Sequence, residues 1–455
     1  SRTLSTQTKN EFDPASWLVA DAVGPRYEVD WSGVDPWRPE RVFRPGTTAE
    51  LARFLSHCNE ARQPVVLQGG LSGLVGGATP QRGEWSVSLE RMQRVIEVDP
   101  KGMTLTAEAG APLARLQEAA GEAGLEFPVD LGARGTATAG GIVATNAGGN
   151  QVIRRGMTRA SVLGLTAVLA DGTVVDADNV LPKNNTGVDV KQCFIGSEGI
   201  FGIVTRVTFA LAPRRGPRHS ALVGAESFEA VTALLTGLRS RTTLASFEVM
   251  WRDYFRAATA AVSARNPLDG IPAFACLVET TGGEADAAER FAMTLAEVCE
   301  AAGIEDVVVA ASEADAATFW TIRDAVTELL PALAPLANFD VGIPIAKMAP
   351  FTERVREAVG GAFEGCQLLI FGHVADANLH LIVSTGRAAD VAPIYDLVYR
   401  LTGDFGGSIS AEHGIGVLKR PYLHYCRSPA EMEVMRRMKQ ALDPNAILNP
   451  GRVLP

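Results

Sequence analysis

Three of the six histidines in this 455-residue chain lie in two short polar islands, Phe371-Gly-His373-Val-Ala-Asp-Ala-Asn-Leu-His380-Leu381 and Ser410-Ala-Glu412-His413-Gly-Ile-Gly416. On a continuous helix, His373 and His380 would stand about 10 Å apart along the axis. On a continuous strand, their odd spacing would send them to opposite faces. Neither arrangement chelates one ion. Apolar runs flank the polar centre, however, at Leu368-Leu-Ile-Phe371 and Leu381-Ile-Val383, a pattern that predicts a β-hairpin. A hairpin brings cross-strand Cβ atoms to roughly 5 Å, so the two imidazoles then reach one metal. Glu412 completes a His/His/carboxylate set with a position left for substrate, as catalytic zinc requires. By residue type alone, a hydrogen-bonded or solvent-facing histidine pair fits equally well. The adjacent, glycine-flanked Glu412-His413 adds weight to the metal. His413 itself suits a proton acceptor, because imidazole titrates near neutral pH.

A different chemistry is written in two glycine-rich loops. Pro128 to Gly149 carries six glycines among small and hydroxyl residues: Gly132, Gly135, Gly140, Gly141, Gly148 and Gly149. Gln68 to Gly77 has the same character, and both loops follow short apolar runs, Pro64-Val-Val-Leu67 and Leu125-Glu-Phe-Pro-Val129. Glycine lets backbone approach a ligand closely, and successive N–H groups form anion-binding concavities. One such loop is ordinarily a turn; two together suggest one long ligand with a diphosphate. Neither has the Gly-x-Gly-x-x-Gly spacing of a nicotinamide dinucleotide fold, so the diphosphate is expected to be held another way.

The elements that must position these groups read as mixed α+β. A helix with a Thr cap runs from Thr48 with an apolar stripe at Leu51, Phe54, Leu55 and Cys58. Strand-like pieces follow at Pro64–Leu67, Arg94–Val98, Leu163–Leu169 and Ile203–Leu211. Ala212-Pro-Arg-Arg-Gly-Pro217 marks a boundary; its arginines fit a solvated turn. Beyond it come strands at Phe274–Glu279, Asp306–Ala310 and Asn338–Ile345, and helices over Glu284–Ala302, Glu313–Leu330 and Ala430–Leu442. This alternation predicts a substrate-capping domain on an antiparallel sheet, giving domains at 1–215, 216–425 and 426–455. Arg323 and Thr327, four apart, would share one face of their helix, where an arginine is ordinarily solvent-facing.

Composition narrows the class. Hydrophobic residues make up 47% of the chain, enough for substantial cores, and the net charge of −10 argues against nucleic acid or an anionic membrane surface as main partner. The six cysteines show no Cys-x-x-Cys spacing, which fits reduced thiols in a cytoplasmic protein and disfavours an iron–sulfur cluster. No apolar run approaches a membrane span, and Ser1–Thr8 lacks the apolar core of a signal peptide.

Taken together, the loops resemble those of the FAD-linked oxidases of the vanillyl-alcohol oxidase type. The likeness continues through Arg155-Gly-Met-Thr-Arg159, Val168-Leu-Ala-Asp-Gly-Thr173, Asn185-Thr-Gly187 and Phe194-Ile-Gly-Ser-Glu-Gly199. The resemblance implies a two-part FAD domain, with a C-terminal segment returning to the flavin. It implies FAD contacts from Gln68, Gly69, Gly70, Leu71, Ser72, Gly73 and Leu74 in the first loop. In the second it implies Pro128, Gly132, Gly135, Thr136, Gly140, Gly141, Ala144, Thr145, Asn146, Gly148 and Gly149. Further contacts are implied from Glu198, Gly199, Gly202, Ile203, Val204 and Asn449. No histidine lies between His57 and His219, so non-covalent FAD is expected, with Cys193 the only cysteine between Cys58 and His219.

The histidine islands resemble the metal site of the D-2-hydroxy-acid dehydrogenase branch, which includes D-2-hydroxyglutarate and D-lactate dehydrogenases. That resemblance implies a divalent metal on His373, His380 and Glu412, zinc first and Mn2+ or Fe2+ next, with substrate contact at His413. Arg323 and Thr327 match residues that hold the substrate carboxylate. Two positions depart from the hydroxyglutarate pattern: Asn338 stands where a lysine is expected and Ile382 where an asparagine is. Losing a cation and an amide favours a short or apolar D-2-hydroxy acid. The expected activity is therefore oxidation of a D-2-hydroxy acid to the 2-oxo acid by hydride transfer to FAD. An O₂-using oxidase and a hydroxyglutarate-specific dehydrogenase stay open; a non-catalytic FAD-binding subunit fits poorly with an intact Arg323 and metal set. Partners are then a small hydroxy acid and an electron acceptor, whether electron-transfer flavoprotein, quinone or cytochrome; a homodimer stays open.

Overall fold

The computed structural model describes residues 12–149 and 152–455; the Ser1–Thr8 stretch read above lies outside them. By contacts the described chain divides into two units. One holds the residues up to Arg214 together with Glu412–Pro455, and the other holds Arg215–Ala411. The first division falls inside the Pro/Arg-rich linker. The second falls at Ala411–Glu412, whereas the sequence pattern carries the second domain to 425. The backbone gives the reason. Ser408 exchanges both main-chain hydrogen bonds with Gly342, and Ala411 N–H donates to Asp340 O; a few residues on, Val417 N–H donates to Val75 O.

The first unit contains a four-stranded sheet in the order Trp17–Val19, Arg41–Phe43, Trp85–Ser88, Val65–Gln68, parallel except for its first pair. A five-stranded antiparallel sheet orders Val95–Asp99, Thr104–Glu108, Ile203–Ala210, Val162–Val168 and Val174–Ala177. The helix Thr48–Ala61 is capped one residue earlier than the sequence suggests, since Thr47 Oγ1 accepts Glu50 N–H. Its stripe Leu51, Phe54, Leu55 and Cys58 is fully buried in one core shared with strands of both sheets. Burial of each large apolar side chain contributes ~1.5–3 kcal/mol.

The second unit is built on a seven-stranded sheet in the order Asp306–Val309, Arg218–Ala225, Phe274–Thr281, Leu244–Trp251, Gln367–His373, Asn378–Ser384, Ala337–Gly342. Every pairing is antiparallel. The predicted hairpin is there, closed by a 3-10 turn at Val374–Asp376. Leu244–Trp251 lies at the centre, buried along its whole length. The sequence pattern predicts one helix over 313–330, but the structure splits it into Glu313–Arg323 and Val326–Leu333. Tyr254 Oη donates to Arg323 O at 2.7 Å, taking that carbonyl as the ladder ends. Among the described residues no helix is long and apolar enough to cross a membrane.

Candidate active site

In the first unit, the two glycine loops fold onto one another. A Cβ at Gly70 would stand 1.8 Å from Thr136 O, so only glycine permits this backbone approach. Together they line a cavity with main chain at Gly69, Gly70, Gly140 and Gly141, and with apolar walls at Leu131, Ile142, Phe194 and Val204. Apolar walls suit a flat ring system, and close-packed glycine backbone suits a diphosphate; the residues present fit FAD. The lining also takes Leu71, Ser72, Gly73, Leu74, Gly132, Ala144, Thr145, Gly148, Glu198, Gly202 and Asn449.

Other expected contacts are not among the residues lining this cavity. Gln68 is fully buried and its Nε2 donates to Tyr27 O and Ala78 O. A Cβ at Gly149 would fall 1.9 Å from Asp130 O, and Asn146 Oδ1 accepts Arg159 N–H. Pro128, Gly135, Thr136, Gly199 and Ile203 are likewise not among the lining residues, whereas Asp30, Trp31, Ala133, Thr138 and Ala147 are. Thr138 had a legible signal: its Oγ1 caps the short helix Ala139–Ala144 by accepting Gly141 N–H.

Three non-glycine lining residues, Leu71, Glu198 and Asn449, have positive φ of 55°, 53° and 43°. Such backbone strain persists only where surroundings enforce it. Asn449 supplies part of that enforcement: its Oδ1 accepts Leu67 N–H and its Nδ2 donates to Glu198 O, at 2.8 and 2.7 Å. Glu198 is half-buried, and that desolvation pushes its carboxyl up, while the N–H groups of Ile415 and Gly416 oppose the shift. Glu412 and His413 line the same cavity.

In the second unit, the hairpin register sets His380 opposite Phe371, not opposite His373. The two histidines are therefore diagonal neighbours on one face, with ring centroids 5.5 Å apart and planes at 78°. On its other side His380 pairs with Asp340, whose carbonyl holds Ala411 N–H. Glu412 is the next residue, covalently fixed to that edge. The ligand atoms of His373, His380 and Glu412 lie within 4.8 Å of one another, a His/His/carboxylate donor set that fits a divalent ion.

His373 is cross-strand partner to Glu248, and its Nδ1 lies 2.6 Å from Glu248 Oε1. Arg323 Nε donates to Glu248 Oε2 at 2.8 Å, and the guanidinium stands over the Phe371 ring at 4.9 Å. Burial pushes the Glu248 carboxyl up, but His373 and Arg323 outweigh it and hold it at about 2. The only sequence signal for Glu248 is that it is the lone charge in the apolar run Leu244–Trp251.

Arg323, expected on a polar helix face, is instead 7% exposed and paired. Thr327 lies beyond the helix break and is exposed, its Oγ1 donating to Asp324 O at 3.4 Å; the two do not share a helix face. Asn338 and Ile382 are direct cross-strand partners. Asn338 is exposed, and Ile382, 1% exposed, packs in the apolar cluster with Leu329 and Phe371.

Residues 39–178 match the family described as FAD binding domain, and residues 216–453 match FAD linked oxidases, C-terminal domain. A probable mitochondrial D-2-hydroxyglutarate dehydrogenase of Oryza sativa subsp. indica is 38% identical over 94% of this chain and 77% of its own. The D-2-hydroxyglutarate dehydrogenase of Xanthomonas citri pv. viticola is 36% identical over 94% of this chain and 92% of its own. That of Stutzerimonas stutzeri is 31% identical over 99% and 98%. Among solved structures, an alkyldihydroxyacetonephosphate synthase superposes with a TM-score of 0.74 at 16% identity, covering 97% of this chain and 84% of that one, a likeness of fold. The chain belongs to the FAD-linked oxidase family, in the D-2-hydroxy-acid dehydrogenase branch, and is an FAD-dependent oxidoreductase.

Proposed function

We propose that this protein oxidises a D-2-hydroxy acid to the 2-oxo acid with the help of a divalent metal. The observation that carries the reading is the dipeptide Glu412–His413: both residues line the cavity of the glycine loops, and Glu412 also belongs to the His/His/carboxylate set. FAD, when bound, supplies the acceptor for the C2 hydride, and a divalent ion supplies positive charge that acidifies the 2-hydroxyl. His373, His380 and Glu412 would hold that ion. His413 takes the hydroxyl proton as the hydride leaves C2. Arg323, held at Nε by Glu248 and at Nη1 by Asp324, offers Nη2 to the substrate carboxylate.

Substrate choice follows from the sheet edge. Asn338 and Ile382 bring no cation and no buried amide to their shared position, which favours a short or apolar tail. The second reading, hydroxyglutarate, is favoured by the names of relatives matched over nearly the whole chain. Anaerobic bleaching of the flavin by a panel of D- and L-2-hydroxy acids, with and without chelator, tests both. Bleaching by D-acids that stops on chelation supports the proposal; equal bleaching by both enantiomers, or none, overturns it.

A further inference from the structure

Glu248 has two carboxylate oxygens, and each is engaged by a different functional side chain. Oε1 lies 2.6 Å from His373 Nδ1, and Oε2 accepts Arg323 Nε–H at 2.8 Å. Arg323 Nη2 in turn lies 3.4 Å from His373 Nε2. In the neutral imidazole these contacts set the tautomer. A guanidinium has only donors and an ionised carboxylate only acceptors. The nitrogen facing Arg323 must therefore carry the lone pair, and the nitrogen facing Glu248 must carry the proton. A lone pair on Nε2 is what a metal ligand needs, and a carboxylate behind the other nitrogen fixes the ring and raises its basicity.

We infer that Glu248 is a positioning residue that sets His373 for metal binding and aims Arg323 at the substrate carboxylate, so that both functions depend on one buried group. The inference rests on the metal reading above. With a divalent ion bound, His373 would direct its Nε2 lone pair to the metal, and Arg323 Nη2, which faces that nitrogen at 3.4 Å, would be left to a substrate carboxylate. Glu248 keeps its hold on Arg323 Nε throughout. Its place on the central strand suits this double hold, since Glu248 is 2% exposed and pairs in register with His373.

The test uses the full-length, FAD-loaded protein and zinc as probe, with affinity read by chelator competition. Glu248→Ala should weaken zinc binding by about tenfold to a hundredfold and raise KM for the best D-2-hydroxy acid, with FAD content unchanged. Glu248→Gln keeps the shape but can accept from only one partner, since its amide nitrogen meets a donor on the other side. It should recover either zinc affinity or KM, and not both. Should the alanine variant fail to fold, the glutamine variant carries the test alone. Wild type that binds zinc, with a variant that binds it as tightly at unchanged KM, overturns the inference alone. Full recovery of both properties by Glu248→Gln does the same. Wild type that binds no zinc overturns the metal reading, and this inference with it.

Discussion

Glu198 holds Gly416 by its main chain: one carboxylate oxygen accepts Gly416 N–H at 2.8 Å, and the other accepts Ile415 N–H at 3.0 Å. Gly414, between Ile415 and His413, has φ of +86°, and a Cβ there would stand 2.9 Å from the Glu198 carboxylate. The loop carrying Glu412 and His413 is thus fitted around one half-buried side chain from the Phe194–Gly199 motif.

Removing that side chain should disorder the loop. Hydrogen bonds to a charged acceptor contribute roughly 1.5–3 kcal/mol each, so Glu198→Ala should slow substrate reduction of the flavin by tenfold or more. Gly414→Ala should do likewise through backbone strain. Stopped-flow absorbance under anaerobic conditions measures both; rates within twofold of wild type would show that the loop holds its shape unaided.

Chelation should abolish substrate reduction while leaving FAD bound, because the His/His/carboxylate donors and the cavity lining share only Glu412. His380→Ala should have the same effect and lower the metal content from about one ion per chain, the complement of a single tetrahedral site. Elemental analysis checks this, and full activity in a metal-free sample contradicts it.

The flavin should be released by acid or heat. Cys193 is not among the residues lining the cavity, although its neighbour Phe194 is, and no histidine lies in that stretch of sequence. Yellow colour retained in the washed precipitate would reveal a covalent bond.

Acid should act on Glu248. Its carboxyl is held at about 2 against an ordinary 4.5, so the folded state favours the ionised form. The resulting stability is fully present above pH 4.5 and is lost as pH falls toward 2. Glu248→Gln should therefore be less stable than wild type at neutral pH, with the difference shrinking through that window. Urea midpoints measured from pH 7 to pH 2.5 read it directly; a gap that stays constant with pH contradicts the assignment.

Arg323→Ala should raise KM for every D-2-hydroxy acid, by roughly tenfold to a hundredfold for a lost charge-assisted contact. Among substrates, short or apolar tails should give the higher kcat/KM, because Asn338 and Ile382 offer no buried partner to a second carboxylate. A clear preference for hydroxyglutarate in the ratio of kcat/KM values would show that other residues supply it.

What could be read from the sequence was local. The His373–His380 hairpin announces itself because apolar runs flank a polar centre, and the glycine loops because nothing else permits such close backbone. What escaped was tertiary. Glu248 looks like an interruption in an apolar strand until the sheet sets it beside His373. The periodicity from Glu313 to Leu330 is helical throughout, yet Tyr254, distant in sequence, takes the Arg323 carbonyl where the helix ends. Thr327 then turns away, and no spacing rule within the segment foretells it.

The pairing of Val65 with Leu448 has a consequence for how the protein is made. Val65 N–H donates to Ile447 O, and Asn449 N–H donates to Val65 O, so the sheet beneath the first glycine loop waits for the far end of the chain. Contacts between such distant residues form slowly, since loop closure precedes any gain. Arg215–Ala411 is synthesised before Asn449, while the cavity is still missing a wall. FAD loading should then follow completion of the residues around Asn449, which line the cavity.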